Sequence, residues 1–227
     1  MMSSLPQLKT EIPRLENGDR LTRPEFERRY QAMPNHQKVE LIEGVVYMAS
    51  PLRFRSHGEP HAQINTWLGV YYAATPGVLA ADNTTVRLDG ENEPQPDAIL
   101  FINPNLGGQC RISEDDYIEG SPELIVEIAA SSAAYDLYDK KRAYQRNGVQ
   151  EYLVWQVYEH EISWWKLQEG EYIALETDEN GVIKSQVFPG LWLEVRSLLE
   201  GNLAEVLKRL QEGIESVEHQ DFIRRLC

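Results

Sequence analysis

The stretch from Pro122 to Val157, PELIVEIAASSAAYDLYDKKRAYQRNGVQEYLVWQV, constrains the fold more than any other. Leu124 to Ala129 is an apolar run too short for a helix core and rich in branched residues, so it reads as a buried strand. Glu127 interrupts it between Val126 and Ile128. A strand that is apolar on both faces accepts a carboxylate only with a compensating partner. Ser131 and Ser132 offer N-caps for a helix reaching Asn147-Gly148, a helix-ending pair, and Glu151 to Val157 reads as a second strand. This strand–helix–strand order, with Lys140 and Lys141 on the helix, brings an acid and a cation towards one sheet edge.

A chain of 227 residues is long enough for one good-sized core and short for two. The expected organisation is a flexible arm over residues 1–20, one domain over 21–200 and a C-terminal amphipathic helix over 201–227. No apolar run approaches the length of a membrane span, and the first residues lack the apolar centre of a signal peptide, so a cytoplasmic protein is expected. Cys110 and Cys227 make neither a disulfide framework nor a zinc spacing, which fits a reducing compartment. The 22 basic and 36 acidic residues give a net charge of −14. That balance argues against a surface that holds nucleic acid over its whole extent, yet leaves room for a local basic cleft.

Along the chain, a first helix is expected from Thr22, with Pro24 in its opening turn and a stop near Pro34. VELIEGVVYMAS, from Val39, reads as a strand pair or a bent strand, Gly44 marking a tight turn or bulge. A helix follows with Pro60 in its first turn and Ile64, Trp67, Leu68 and Tyr71 at helical spacing. Short strands are expected around Val78 to Ala81, Thr84 to Leu88 and in PDAILFI, residues 96–102. Residues 103–121 form a long polar loop with room for a helical turn. Ile162 to Leu167 and Tyr172 to Leu175 make a hairpin, and Leu203, Val206, Leu207, Leu210 and Ile214 line one face of the last helix. That face suits packing on the body or on a second copy.

Asp97 and Glu127 stand on separate apolar strands. Two carboxylates brought together in a partly desolvated setting repel, and a hard cation such as Mg²⁺ relieves the repulsion by taking oxygen ligands from both. A lysine beside them would position a water or stabilise charge on a phosphate, and Lys140 or Lys141 is the available group. Plainer roles compete: a turn hydrogen bond for Asp97, a structural ion pair for Glu127, solvent exposure for either lysine.

VELIEGVVY, His61 opening a helix, QPDAILFI, PELIVEIAASS and YDLYDKKRAYQRNGVQEYLVW together resemble the Uma family of restriction-endonuclease-like proteins, over residues 38 to about 195. The closing FPGLWLEV is similar to the family's usual ending. The resemblance implies the PD-(D/E)xK nuclease core, an α/β fold with a mixed sheet flanked by helices. It implies Asp97 and Glu127 as metal ligands for Mg²⁺, with Mn²⁺ as substitute, and DNA as substrate. The lysine usually found two residues after the acid is replaced by Ala129; similar proteins carry it on the next helix, four residues before a tyrosine, which here makes it Lys140. The chain also departs from the family's Ser-Pro-Ser, having Ala130-Ser131-Ser132. Glu40 and Glu43 match acidic positions of the first strand and His61 a histidine of the second helix, each a helper for metal or phosphate. The expectation is a Mg²⁺-dependent endonuclease, with a noncatalytic binding or regulatory protein as the alternative. A homodimer or a protein partner fits either.

Overall fold

The computed structural model describes residues 12–34, 37–130 and 133–226. Its centre is a six-stranded mixed sheet made of β3 (Val78–Asp82), β5 (Ala98–Ile102), β8 (Leu124–Ala129), β9 (Glu151–Gln156), β10 (Glu161–Gln168) and β11 (Glu171–Ala174), in the spatial order β11-β10-β9-β8-β5-β3. Among the described strands of this sheet only β8 and β9 run parallel, and the segment between them supplies the crossover that parallel neighbours require. All six residues of β8 are buried and they face two cores. Leu124, Val126 and Ile128 enter one, while Ile125 and Ala129 enter the other.

The first core is covered by α2 (Glu59–Ala74), α5 (Leu203–Ile214) and α6 (Val217–Leu226). Helix α2 contributes Ile64, Trp67, Leu68 and Tyr71, as their spacing predicts, each burial stabilising the fold by about 1.5–3 kcal/mol. Two helices stand where the sequence suggested one. The break falls at Glu215-Ser216, and Val206, Leu210, Ile214, Phe222 and Leu226 pack on the main core, so the apolar face is spent on the chain's own body. His219 fixes the bend, its Nδ1 against the Ile214 carbonyl at 2.7 Å and its Nε2 against Thr75 Oγ1 at 2.9 Å. Gly213 lies so close to the backbone at Gly190 and the Trp192 ring that a Cβ would collide with both.

The second core is covered by α3 (Lys141–Arg146) and by a small sheet of β4 (Val86–Arg87), β7 (Ile118–Glu119) and β6 (Arg111–Ile112). A third, smaller core joins α1 (Arg23–Gln31) to the hairpin of β1 (Val39–Ile42) and β2 (Val45–Met48) through Phe26, Val39, Leu41 and Val46. Leu15 belongs to it, and the Gly18 amide donates to the Val46 carbonyl, so the arm expected through residue 20 is docked over its described part. The two-residue turn Glu43-Gly44 has both residues in the left-handed region, the conformation a tight hairpin demands. Beyond the main sheet, β12 (Val182–Lys184) pairs with β13 (Trp192–Glu194), and the short α4 (Val195–Leu199) leads into α5.

Two helices begin in an unexpected form. Phe54–Gly58 is a π-helical turn running into α2, and Tyr135–Lys140 is another running into α3. The proposed caps Ser131 and Ser132 lie outside the described residues. A π turn holds one more residue than an α turn, so the residues it carries point in directions that a 3.6-residue period does not forecast.

Candidate active site

Asp97 immediately precedes β5, whose antiparallel register with β8 pairs Ala98 with Val126. One step further along the same register sets Asp97 opposite Glu127, and opposed residues of neighbouring strands share a face. Both are buried, at 4% and 2% exposure. The ladder is finished by a side chain: the Ile128 amide donates to Asp97 Oδ2 at 2.8 Å. His57 Nε2 donates to Asp97 Oδ1 at 3.2 Å, and Lys38 Nζ stands 3.5 Å from the same oxygen. Burial alone would raise the Asp97 pKa, but His57, Lys38 and the more distant Lys140 outweigh it and hold the carboxyl well below its usual range.

Glu127 is held differently. Lys140 Nζ and the Tyr144 hydroxyl both donate to its Oε1, at 2.9 and 2.8 Å. Burial pushes its carboxyl well above the ordinary value despite Lys140, with Asp97, Asp136 and Glu40 adding repulsion. Lys140 is 3% exposed and also meets Glu40 Oε1 at 3.0 Å and Asp136 Oδ1 at 3.6 Å. Burial opposes its charge, yet the three carboxylates raise its pKa well above the lysine norm, so it stays an ammonium. Lys140 and Tyr144, four residues apart, both reach Glu127 on β8, and Asp136, in the same π-helical turn as Lys140, pairs with Lys140.

The structure thus brings Glu127 and Lys140 into contact beside Asp97, three residues the sequence singled out. Lys141 points elsewhere, its Nζ 3.5 Å from the centre of the Trp165 ring. Ala129, at the position a strand-borne lysine would take, is fully buried in the second core. Glu43 occupies the hairpin turn and pairs with Arg146 at 2.8 Å, whereas Glu40, three residues earlier, faces Lys140. The turn after Ile42 redirects the chain, and Glu40 Oε1 is further fixed by the Gln95 amide at 2.7 Å. His61 contacts the main chain of the site, with Nε2 2.9 Å from the Asp97 carbonyl and 2.8 Å from Asp82 Oδ1.

Sequence reasoning missed His57, Lys38, Asp136 and Tyr144 as members of the site. Tyr144 carried a usable signal, its four-residue spacing from Lys140 into α3. His57 carried none, because the π turn that aims it has no periodic signature.

Asp97, Glu127, Glu40 and Asp136 are all oxygen donors of the kind a hard divalent cation takes, so the donor chemistry fits Mg²⁺ or Mn²⁺. Among the described residues, no group of three or more His, Cys, Asp or Glu side chains converges in a metal-holding arrangement. The ammonium of Lys140 supplies positive charge to Glu40 and Glu127 instead.

No helix among the described residues is long and apolar enough to cross a membrane. The chain matches no curated protein. Its fold is similar to the crystal structure of a "putative nuclease belonging to DUF820" from Anabaena variabilis, with a TM-score of 0.59 and 15% identity over 80% of this chain and 98% of that one. At that identity the likeness speaks for the fold, the restriction-endonuclease-like arrangement of a mixed sheet flanked by helices. Residues 23–196 match the family Uma2, described as "Putative restriction endonuclease", and with that span covering most of its length the chain belongs to this family.

Proposed function

We propose that the protein is a Mg²⁺-dependent endonuclease that hydrolyses DNA phosphodiester bonds, with Asp97 and Glu127 holding the cation and Lys140 as the catalytic ammonium. The observation that carries this reading is the placement of two buried carboxylates across neighbouring strands, with a buried lysine bonded to one of them. A bound divalent cation would neutralise phosphate charge and acidify a water molecule.

The chain's own groups have separable tasks. Asp97, kept ionised by His57 and Lys38, is a permanent anionic ligand. Tyr144 and Lys140 fix the orientation of Glu127 through one of its oxygens. Lys140 remains charged and is suited to stabilise negative charge developing on a phosphate. His61 and the Ile128 amide position Asp97 through its carbonyl and its second oxygen.

The test is nicking and linearisation of supercoiled plasmid, and cleavage of single-stranded DNA, with Mg²⁺ or Mn²⁺. Wild type is compared with Asp97→Ala, Glu127→Ala and Lys140→Ala proteins purified identically. Activity that disappears in all three supports the mechanism; full activity in Glu127→Ala rules it out. A binding-only protein is the second reading, favoured by the way Lys140 already neutralises Glu40 and Glu127. It predicts no cleavage by wild type and a stoichiometric partner in a pull-down.

A further inference from the structure

We infer that the π-helical turn Phe54–Gly58, with Arg53 just before it, is a binding surface for an unpaired nucleic-acid strand, with Phe54 stacking on a base and Arg53 and Arg55 on flanking phosphates. This rests on the nuclease reading for its direction and deepens it by naming the substrate class as strand with unpaired bases.

Phe54 is 72% exposed, the highest value among the large apolar side chains described, and Arg53 and Arg55 on either side of it are exposed too. In a chain of net charge −14, most described arginines are tied to carboxylates, Arg87 and Arg146 among them. Among the described residues Arg53 and Arg55 enter no ion pair. Their charge is therefore available to a ligand. The same turn carries His57, which bonds to Asp97, so Phe54 stands three residues from a group that touches the site.

The second π-helical turn repeats the arrangement. Tyr138 is 68% exposed and lies two residues before Lys140. The two most exposed aromatic side chains thus stand on the two turns that deliver His57 and Lys140. Aromatic faces combined with arginine match the chemistry of unpaired strands, whose bases offer free π-faces and whose backbone offers phosphate. A fully paired duplex hides those faces.

The test is fluorescence anisotropy of a labelled single-stranded oligodeoxynucleotide with the full chain in chelator, so that no strand is cut. A blunt duplex and an oligoribonucleotide of the same sequence are measured beside it. Phe54→Ala should weaken single-strand binding about tenfold, and Phe54→Trp should retain it. Arg53→Ala and Arg55→Ala should each lower the slope of log affinity against log salt by about 0.7. Tighter binding of the ribonucleotide, still lost in Phe54→Ala, supports the surface and assigns its sugar preference. Single-strand affinity unchanged in Phe54→Ala, or a duplex bound equally well and equally weakened, overturns the inference. An unchanged melting temperature in Phe54→Ala excludes misfolding as the cause. Strand binding through Phe54 without any cleavage by wild type would refute the nuclease reading and leave this one standing.

Discussion

Replacing Lys140 with methionine should destabilise the fold strongly at neutral pH and less in acid. The ammonium makes two contacts at 2.9 and 3.0 Å with carboxylates that are themselves almost fully buried, and a third at 3.6 Å. Methionine fills the same space without the charge, leaving Glu40, Glu127 and Asp136 to repel one another in a desolvated setting. Removing one partner of a buried ion pair costs about 3–5 kcal/mol, and the multiple carboxylates place this case toward the upper end. The sign with pH follows from the direction of the carboxyl shift. Burial already raises Glu127 above its ordinary 4.5, and loss of Lys140 removes the main influence lowering it, so the folded variant binds protons that the unfolded chain does not. The variant's deficit is therefore smallest below the ordinary carboxyl range and grows as pH rises through the raised folded value. Urea titrations of wild type and Lys140→Met at about pH 4 and about pH 9 measure it, the lower value lying below the ordinary carboxyl pKa and the upper above the raised value of about 8. A deficit under about 1 kcal/mol at the higher pH, the worth of an exposed pair, would refute the reasoning, as would a deficit that does not change between the two.

Glu151, buried in β9, accepts from Ser185 Oγ at 2.7 Å and from the Gln186 and Val187 amides at 2.6 and 3.1 Å, and burial pushes its carboxyl up to about 7. The stability this gives is complete below the ordinary 4.5 and falls as pH rises through about 7, so Glu151→Gln should flatten the pH dependence of the melting temperature over that window. His219 has the opposite sign: burial lowers its pKa from 6.5, its stabilisation is present above that value and is lost as pH falls through the lower folded value, and His219→Gln should reduce this acid sensitivity in the same scan. Gly213→Ala should cost about 2 kcal/mol or more in urea titration, because the new methyl meets the Gly190 carbonyl and the Trp192 ring. Gly69→Ala, in α2 with open space around the added carbon, should stabilise by about 0.5–1 kcal/mol in the same assay.

The parts of the fold that were legible in the sequence are those with strong periodicity or punctuation. The spacing of Ile64, Trp67, Leu68 and Tyr71 forecast α2 and its buried face, Asn147-Gly148 marked the end of α3, and the lone acid in Leu124–Ala129 marked β8 as more than core. Asp97 and Glu127 were found because each punctuates an apolar strand, whereas Lys140 was chosen over Lys141 through the resemblance to the Uma family. Glu40 and Glu43 could not be separated by alternation, since the choice depended on where the chain turned, and the turn at Glu43-Gly44 sends Glu43 to Arg146. His57 and Lys38 became site members through tertiary contact alone. The C-terminal pattern specified an apolar face correctly without specifying what covers it, because amphipathicity is the same whether a helix meets its own sheet or another chain.

The bond that joins β8 to the start of β5 can be followed by hydrogen exchange. The Ile128 amide donates to the carboxylate of Asp97, the residue just before β5 begins, rather than to a strand carbonyl. Its exchange with solvent deuterium is therefore governed by a side chain of the candidate site, while the amides on either side of it answer to the stability of the sheet. Hydrogen exchange at this single position separates opening of the site from unfolding of the domain, and does so in a protein that has been given no substrate.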